Sequence, residues 1–180
     1  MKVNLIIPII LFVLLVLSRM ITDIPNFTAT IALVMFTGYL IQNRLLSILV
    51  ILISQIASDL YLGIYSSMIF VYAAYISIAL LSPIMMKKMN TKSIVLSSII
   101  SPSIFFTISN FGVWLMGSTY TFNLSGLIAC YIAGIPFFDE SLISTILFAL
   151  TIFSIMKFIP KETKEIILIK KYSLFLILKF

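Results

Sequence analysis

From residue 93 to residue 138 the chain runs for 46 residues without a charged side chain. Five more charge-free apolar runs lie at residues 3–18, 24–43, 45–58, 60–86 and 141–156. A helix that crosses a bilayer needs about 20 mostly apolar residues. The shorter runs reach that length by extending past an end-placed Arg, Asp or Lys, whose charge sits at the interface. Composition agrees: 62% of residues are apolar and 10% are charged, whereas a soluble domain carries about a quarter charged residues. That excludes an ordinary soluble enzyme, a disordered chain and a nucleic-acid binder with a basic face. The expected fold class is all-α, a polytopic integral membrane protein.

The 46-residue run is too long for one helix. It breaks at residues 116–123, Met-Gly-Ser-Thr-Tyr-Thr-Phe-Asn, which are polar and turn-like. Residues 92–115 then form the fifth helix. Residues 124–138, holding Gly126, Gly134 and Pro136, are short for a span. They are expected as a re-entrant or interfacial segment ahead of the last helix.

Charge placement sets the parity. With six spans and the N-terminus inside, Lys2, Arg44, Lys87, Lys88, Lys92 and the six lysines from Lys157 onward face the cytoplasm, eleven of twelve cations. If residues 124–138 also spanned, five would lie inside and seven outside. Lys and Arg concentrate on the cytoplasmic side, so the expectation is six transmembrane helices, N-in and C-in. The setting expected is a bacterial inner (plasma) membrane. No small-x-small cleavage site follows the first run, so it reads as an uncleaved helix. Residues 1–160 form one transmembrane domain. Residues 161–180 form a basic, apolar cytoplasmic tail expected to lie on the inner leaflet.

The sequence has no histidine and one cysteine, Cys130. A Ser-His-Asp or Cys-His arrangement cannot be built, and metal ligands are too few. No enzyme activity, metal or cofactor is expected. Nor is there a P-loop, so any ATP-driven step needs a partner.

Polar residues gather in three places, all toward the outer side. Arg19, Asp23, Pro25, Asn26 and Thr28 link the first two helices, where Asn26 or Thr28 can cap the second. Gln55, Ser58 and Asp59 make one stripe on the third helix, ahead of Gly63. A carboxylate near hydrocarbon wants a cation. Arg19 is the only one on that side, so an Arg19–Asp59 pair is expected, with Asp23 as the competing partner. On the fifth helix, Thr107, Asn110 and Trp114 share a face. Interhelical hydrogen bonding and an interfacial aromatic belt account for such residues without any ligand. As a site, Arg19, Asn26, Asp59, Asn110, Trp114 and Tyr120 would line an outward pocket for a small molecule.

Pro25-Asn26-Phe27-Thr28, Ser58-Asp59, Gly63, Asn110-Phe111-Gly112-Val113-Trp114, Cys130-Tyr131 and Pro136-Phe137-Phe138 resemble, in this order, an uncharacterised bacterial family of small inner-membrane proteins. That pattern carries Pro where Ala29 stands here, and Gly-Asp where Ser144-Thr145 stand. More distantly, the size, helix number and outward polar site are similar to the substrate-binding S components of ECF-type transporters. That resemblance implies capture of a micronutrient from outside and docking on an ATP-driven module. The Ala-x-x-x-Ala docking pair of such first helices is absent from residues 3–10. The alternative is a structural or scaffold protein acting through protein–protein contacts, with the basic tail as its contact surface.

Overall fold

The computed structural model describes residues 5–21 and 24–158. Asp23 and the tail of residues 161–180 lie outside the described residues. Six helices follow one another: α1 Ile6–Met20, α2 Thr30–Leu40, α3 Arg44–Leu62, α4 Met68–Met85, α5 Thr91–Met116 and α6 Leu124–Phe158. No strand is present among the described residues. Four of the helices, α3 to α6, are long and apolar enough to cross a membrane. α1 and α2 are shorter apolar helices of 15 and 11 residues.

The helix ends follow local chemistry. Asn43 accepts the Leu46 N–H at 3.1 Å and starts α3 by satisfying a donor that has no partner inside the helix. Gly63, at φ 112°, ends α3 and returns its N–H to the Asp59 carbonyl, a conformation open mainly to glycine. Asn90 and Ser93 form a reciprocal capping box at the start of α5. Asn123 Oδ1 accepts the Gly126 N–H at 2.9 Å at the start of α6.

α3 is amphipathic in reverse. Its buried stripe is Ser47, Val50, Ile51, Ser54, Gln55, Ser58 and Asp59. Leu45, Leu49, Ile53, Ile56 and Leu60 face outward. Water would select the opposite arrangement; an apolar solvent selects this one, because polar side chains are then cheapest inside the bundle. α1 likewise turns Ile6, Ile9, Ile10, Val13, Leu14 and Leu17 outward.

The centre is α2, buried continuously from Thr30 to Gly38 and touching all five other helices. A helix buried all round shows no apolar stripe to read. Its closest approach is to α4: a Cβ on Gly38 would meet the Ala79 carbonyl oxygen at 2.2 Å. Small residues permit such crossings, where packing rather than water drives helix association.

One expectation is corrected. Residues 124–138 are neither re-entrant nor a separate interfacial segment; they are the first half of α6, which runs unbroken for 35 residues through Pro136. Of the sequence signals that suggested a break, Gly134 is absorbed by packing against α5, Gly126 lies against Thr121 in the α5–α6 connection, and Pro136 is carried inside the helix. A Cβ on Gly134 would meet Asn110 Oδ1 at 2.5 Å, and Phe106 packs on both Tyr131 and Phe138. At 1.5 Å per residue α6 is about 52 Å long, against about 30 Å of hydrocarbon. The α5–α6 hairpin therefore reaches past the loops of the shorter helices. Ser144 and Phe148 contact Asn26 and Phe27 in the α1–α2 loop, which leaves the earlier part of α6 standing beyond that loop.

Candidate functional site: a polar cavity at one end of the bundle

Helix alternation gives the bundle two unlike ends. One carries Arg44, Lys87, Lys88, Lys92 and Lys157, at helix termini or in the α4–α5 connection. The other carries the α1–α2, α3–α4 and α5–α6 loops, with Arg19 in the last turn of α1.

At the loop end, Arg19 Nη2 lies 2.6 Å from Asp59 Oδ1. Nη1 of the same guanidinium donates to Gln55 Oε1 at 3.0 Å and to Ser58 Oγ at 2.7 Å. The expected stripe on α3 thus meets α1 through a single arginine. Asp59 is 1% exposed, and its other oxygen accepts the Tyr72 hydroxyl at 2.6 Å. The carboxylate is therefore bound by a cation from α1 and a phenol from α4. Two opposite charges about 4 Å apart attract by about 4 kcal/mol at an effective dielectric of about 20. That offsets the desolvation that burial imposes on each ion. Tyr65, in the α3–α4 connection, approaches the pair; burial first, and the nearby Asp59 carboxylate second, push its hydroxyl above the usual tyrosine range.

Arg19 also lines a cavity of about 570 Å³, within the range of small-molecule sites. The α1–α2 loop contributes Pro25, Asn26 and Thr28; the α3–α4 loop, Tyr65 and Ser67; α4, Tyr75; α5, Phe105, Phe106, Ser109 and Asn110; the α5–α6 loop, Tyr120; α6, Cys130, Phe138 and Ser141.

The sequence-derived site residues fall into groups. Arg19, Asn26, Asn110 and Tyr120 line the cavity, with Pro25 and Thr28. Asp59, Gln55 and Ser58 stand behind Arg19 and orient it. Trp114 does not line the cavity: its indole N–H donates to the Thr121 carbonyl at 3.1 Å, and its ring stacks on Phe122 at 4.5 Å. Thr107 is exposed and donates to the Ser103 carbonyl. The α5 face that meets the cavity runs through residues 105, 106, 109, 110 and 113, displaced from the 107–110–114 stripe. Most of the α5 polar groups satisfy themselves. Ser97, Ser98, Ser103 and Thr107 each donate to the carbonyl four residues back.

The Pro-Asn-Phe-Thr string has a backbone explanation. Phe27 N–H donates to the Ile24 carbonyl at 3.2 Å, closing a turn with Pro25 and Asn26 at its centre. Asn26 has φ 60°. Proline fixes the first central position, and asparagine tolerates the left-handed second one, the chemistry of a type II turn. Neither Asn26 nor Thr28 is the residue that precedes α2. Ala29 takes that position without a side-chain cap, while Thr28 Oγ1 accepts the Thr30 N–H at 3.3 Å.

Sequence reasoning missed Tyr65, Tyr72, Tyr75, Ser109, Phe106, Phe138 and Ser141. The three tyrosines carry no signal that separates a wall from an interfacial belt. Tyr72 and Tyr75 do share a face at i, i+3, which was the usable clue.

Helices with polar stripes turned inward and apolar faces turned outward define a helical protein of membrane type. Within that class, the chain belongs to a family of unknown function (DUF6580), whose family model matches residues 1–167. No curated protein and no solved structure matches it.

Proposed function

We propose that this protein is a membrane-embedded solute-binding subunit that captures a small molecule in the loop-end cavity, in the manner of an S component. In this reading the chain crosses a bacterial inner membrane six times, with both termini in the cytoplasm and the cavity facing outward. Eleven of the twelve cations then lie inside, as the positive-inside preference requires. The observation that carries the proposal is the cavity of about 570 Å³ with Arg19, Asn26, Asn110 and Ser109 in its wall. Polar groups at the end of an otherwise apolar bundle are expensive unless they face a ligand or water. Without a P-loop, energised uptake requires a separate ATP-driven module.

Native mass spectrometry of protein extracted gently from its own membranes tests the idea. The expected result is a bound small molecule, depleted in Asn110→Leu, which removes the amide from the cavity wall, and retained in Trp114→Phe. A ligand-free protein that brings down only other membrane proteins would replace this reading with the scaffold one.

A further inference from the structure

We propose that the solute is an amphiphile of the bilayer itself, a lipid whose polar head sits on the cavity floor while its hydrocarbon chain stays in the outer leaflet. This deepens the solute-binding reading and rests on it.

Polarity runs across the cavity in the opposite sense to a water-filled cleft. Of the described lining residues that are exposed, Ile24, Pro25, Leu62, Val113, Ala133 and Phe137 are apolar, and Asn26 alone is polar. Every other polar lining residue is buried or half-buried. A rim of Ile, Leu, Val and Phe is unfavourable against water and comfortable against hydrocarbon. The mouth is therefore suited to a guest that arrives from the membrane with its apolar part trailing.

The floor carries hydroxyls with nothing to bond. Ser67 and Ser141 are 8% and 3% exposed, and with half-buried Ser109 they line the cavity. Their Oγ atoms make no hydrogen bond among the described residues. Away from the cavity, Ser98, Ser103 and Thr145 each donate to the carbonyl four residues back. A buried hydroxyl without a partner is expensive, so the three free ones point to a ligand that bonds them. Hydroxyls donate and accept alike; they specify a polar head and not its charge.

Depth fits a lipid as well. In the orientation proposed above, Lys157 marks the inner edge of the hydrocarbon. About 30 Å at 1.5 Å per residue is about 20 residues of α6, which brings the outer edge close to Phe137 in the rim. That is the level at which the heads of outer-leaflet lipids meet their chains. A cavity of about 570 Å³ accepts a drug-sized body; it takes the head, and the apolar rim lets the chain lie in the bilayer.

The test uses full-length protein stripped of lipid by detergent exchange. It is incubated separately with the chloroform-soluble lipid extract and with the aqueous extract of the same cells, then read by native mass spectrometry. A variant carrying Ser67→Ala, Ser109→Ala and Ser141→Ala is treated alongside. Its melting temperature should match the parent, because those hydroxyls bond nothing within the protein. The expected result is that the parent retains a single lipid from the first extract, and that the variant retains about tenfold less, as the loss of several hydrogen bonds implies. Lipid held equally by both proteins is lipid on the bundle surface and overturns the proposal. A molecule retained from the aqueous extract instead overturns the lipid class and leaves solute binding intact. Retention from neither extract overturns both the class and the solute-binding reading.

Discussion

Arg19 and Asp59 meet at 2.6 Å across α1 and α3, forty residues apart in sequence, and tie together two helices that otherwise bury mainly small and apolar side chains. Removing one partner strands the other. Arg19→Met or Asp59→Leu alone is expected to lose about 3–5 kcal/mol, the usual result of leaving a buried charge unpaired. The double variant should recover most of that loss, because both ions then disappear together. Thermal unfolding of all four proteins in one detergent gives the coupling energy. Single losses below about 1 kcal/mol would mean the pair behaves as a solvent-screened surface bridge.

Asn26 occupies the left-handed position of the Ile24–Phe27 turn at φ 60°. Asn26→Gly should therefore fold as well as the parent, while Asn26→Val should lose about 1–3 kcal/mol to backbone strain. Comparing the melting temperatures of the two variants separates conformation from side-chain chemistry. The glycine variant then isolates any part that the Asn26 amide plays in holding solute. Equal stability for the two would remove the turn as the reason for asparagine at this position.

The two glycines at helix crossings should respond unequally to alanine. At Gly38 the new Cβ would meet backbone, the Ala79 oxygen at 2.2 Å and its Cα at 2.6 Å. Helices must separate there, and overpacking of this kind costs about 1–3 kcal/mol. At Gly134 the nearest atom is Asn110 Oδ1, the end of a side chain. Gly134→Ala should leave the melting temperature close to the parent and instead weaken solute retention by turning the Asn110 amide. A large loss of stability at Gly134, or none at Gly38, would contradict the packing described.

What could be read beforehand follows from which forces act locally. Apolar runs reveal helices in a bilayer because length and solvent set them, so α5 emerged with its ends nearly in place, whereas α4 begins at Met68, eight residues into the run from residue 60. Asp59 demanded a cation, and Arg19 was the only nearby choice on that side. α6 resisted because Gly126, Gly134 and Pro136 read as breakers, whereas Gly134 packs on α5 and Pro136 is carried inside a continuous helix. The cavity face of α5 resisted for another reason. Thr107 and Asn110 both donate to the carbonyl four residues back on their own helix, but Asn110 also lies against Gly134 of α6. Only the helix opposite distinguishes them.

Trp114 secures the α5–α6 connection through its stack on Phe122, with planes 7° apart, and its bond to the Thr121 carbonyl. An aromatic pair contributes about 0.5–1.5 kcal/mol beyond burial, and a neutral hydrogen bond a similar amount. Trp114→Ala should raise amide hydrogen exchange across residues 118–123 while exchange in α1 to α4 stays as it was. Solute retention should fall only through Tyr120, the cavity residue carried by that loop. An exchange increase spread over the whole bundle would instead make Trp114 part of the global packing.

The proposed orientation has a direct test, because the ends of the bundle differ in charge and each has an exposed loop. Cys130 is buried and free, so Cys130→Ser gives a background without competing thiols. Ser118→Cys then places a thiol in the α5–α6 connection, and Lys88→Cys places one in the α4–α5 connection. Both parent residues are exposed. A membrane-impermeant maleimide added to intact cells should modify position 118 at once and position 88 only after permeabilisation. Neighbouring loops face opposite sides whenever the helix between them spans, so the two sites must give opposite answers if α5 crosses. The reverse pattern would put the cavity on the cytoplasmic side and exclude capture from outside. Equal labelling of both would mean that α5, despite its 26 residues, does not cross.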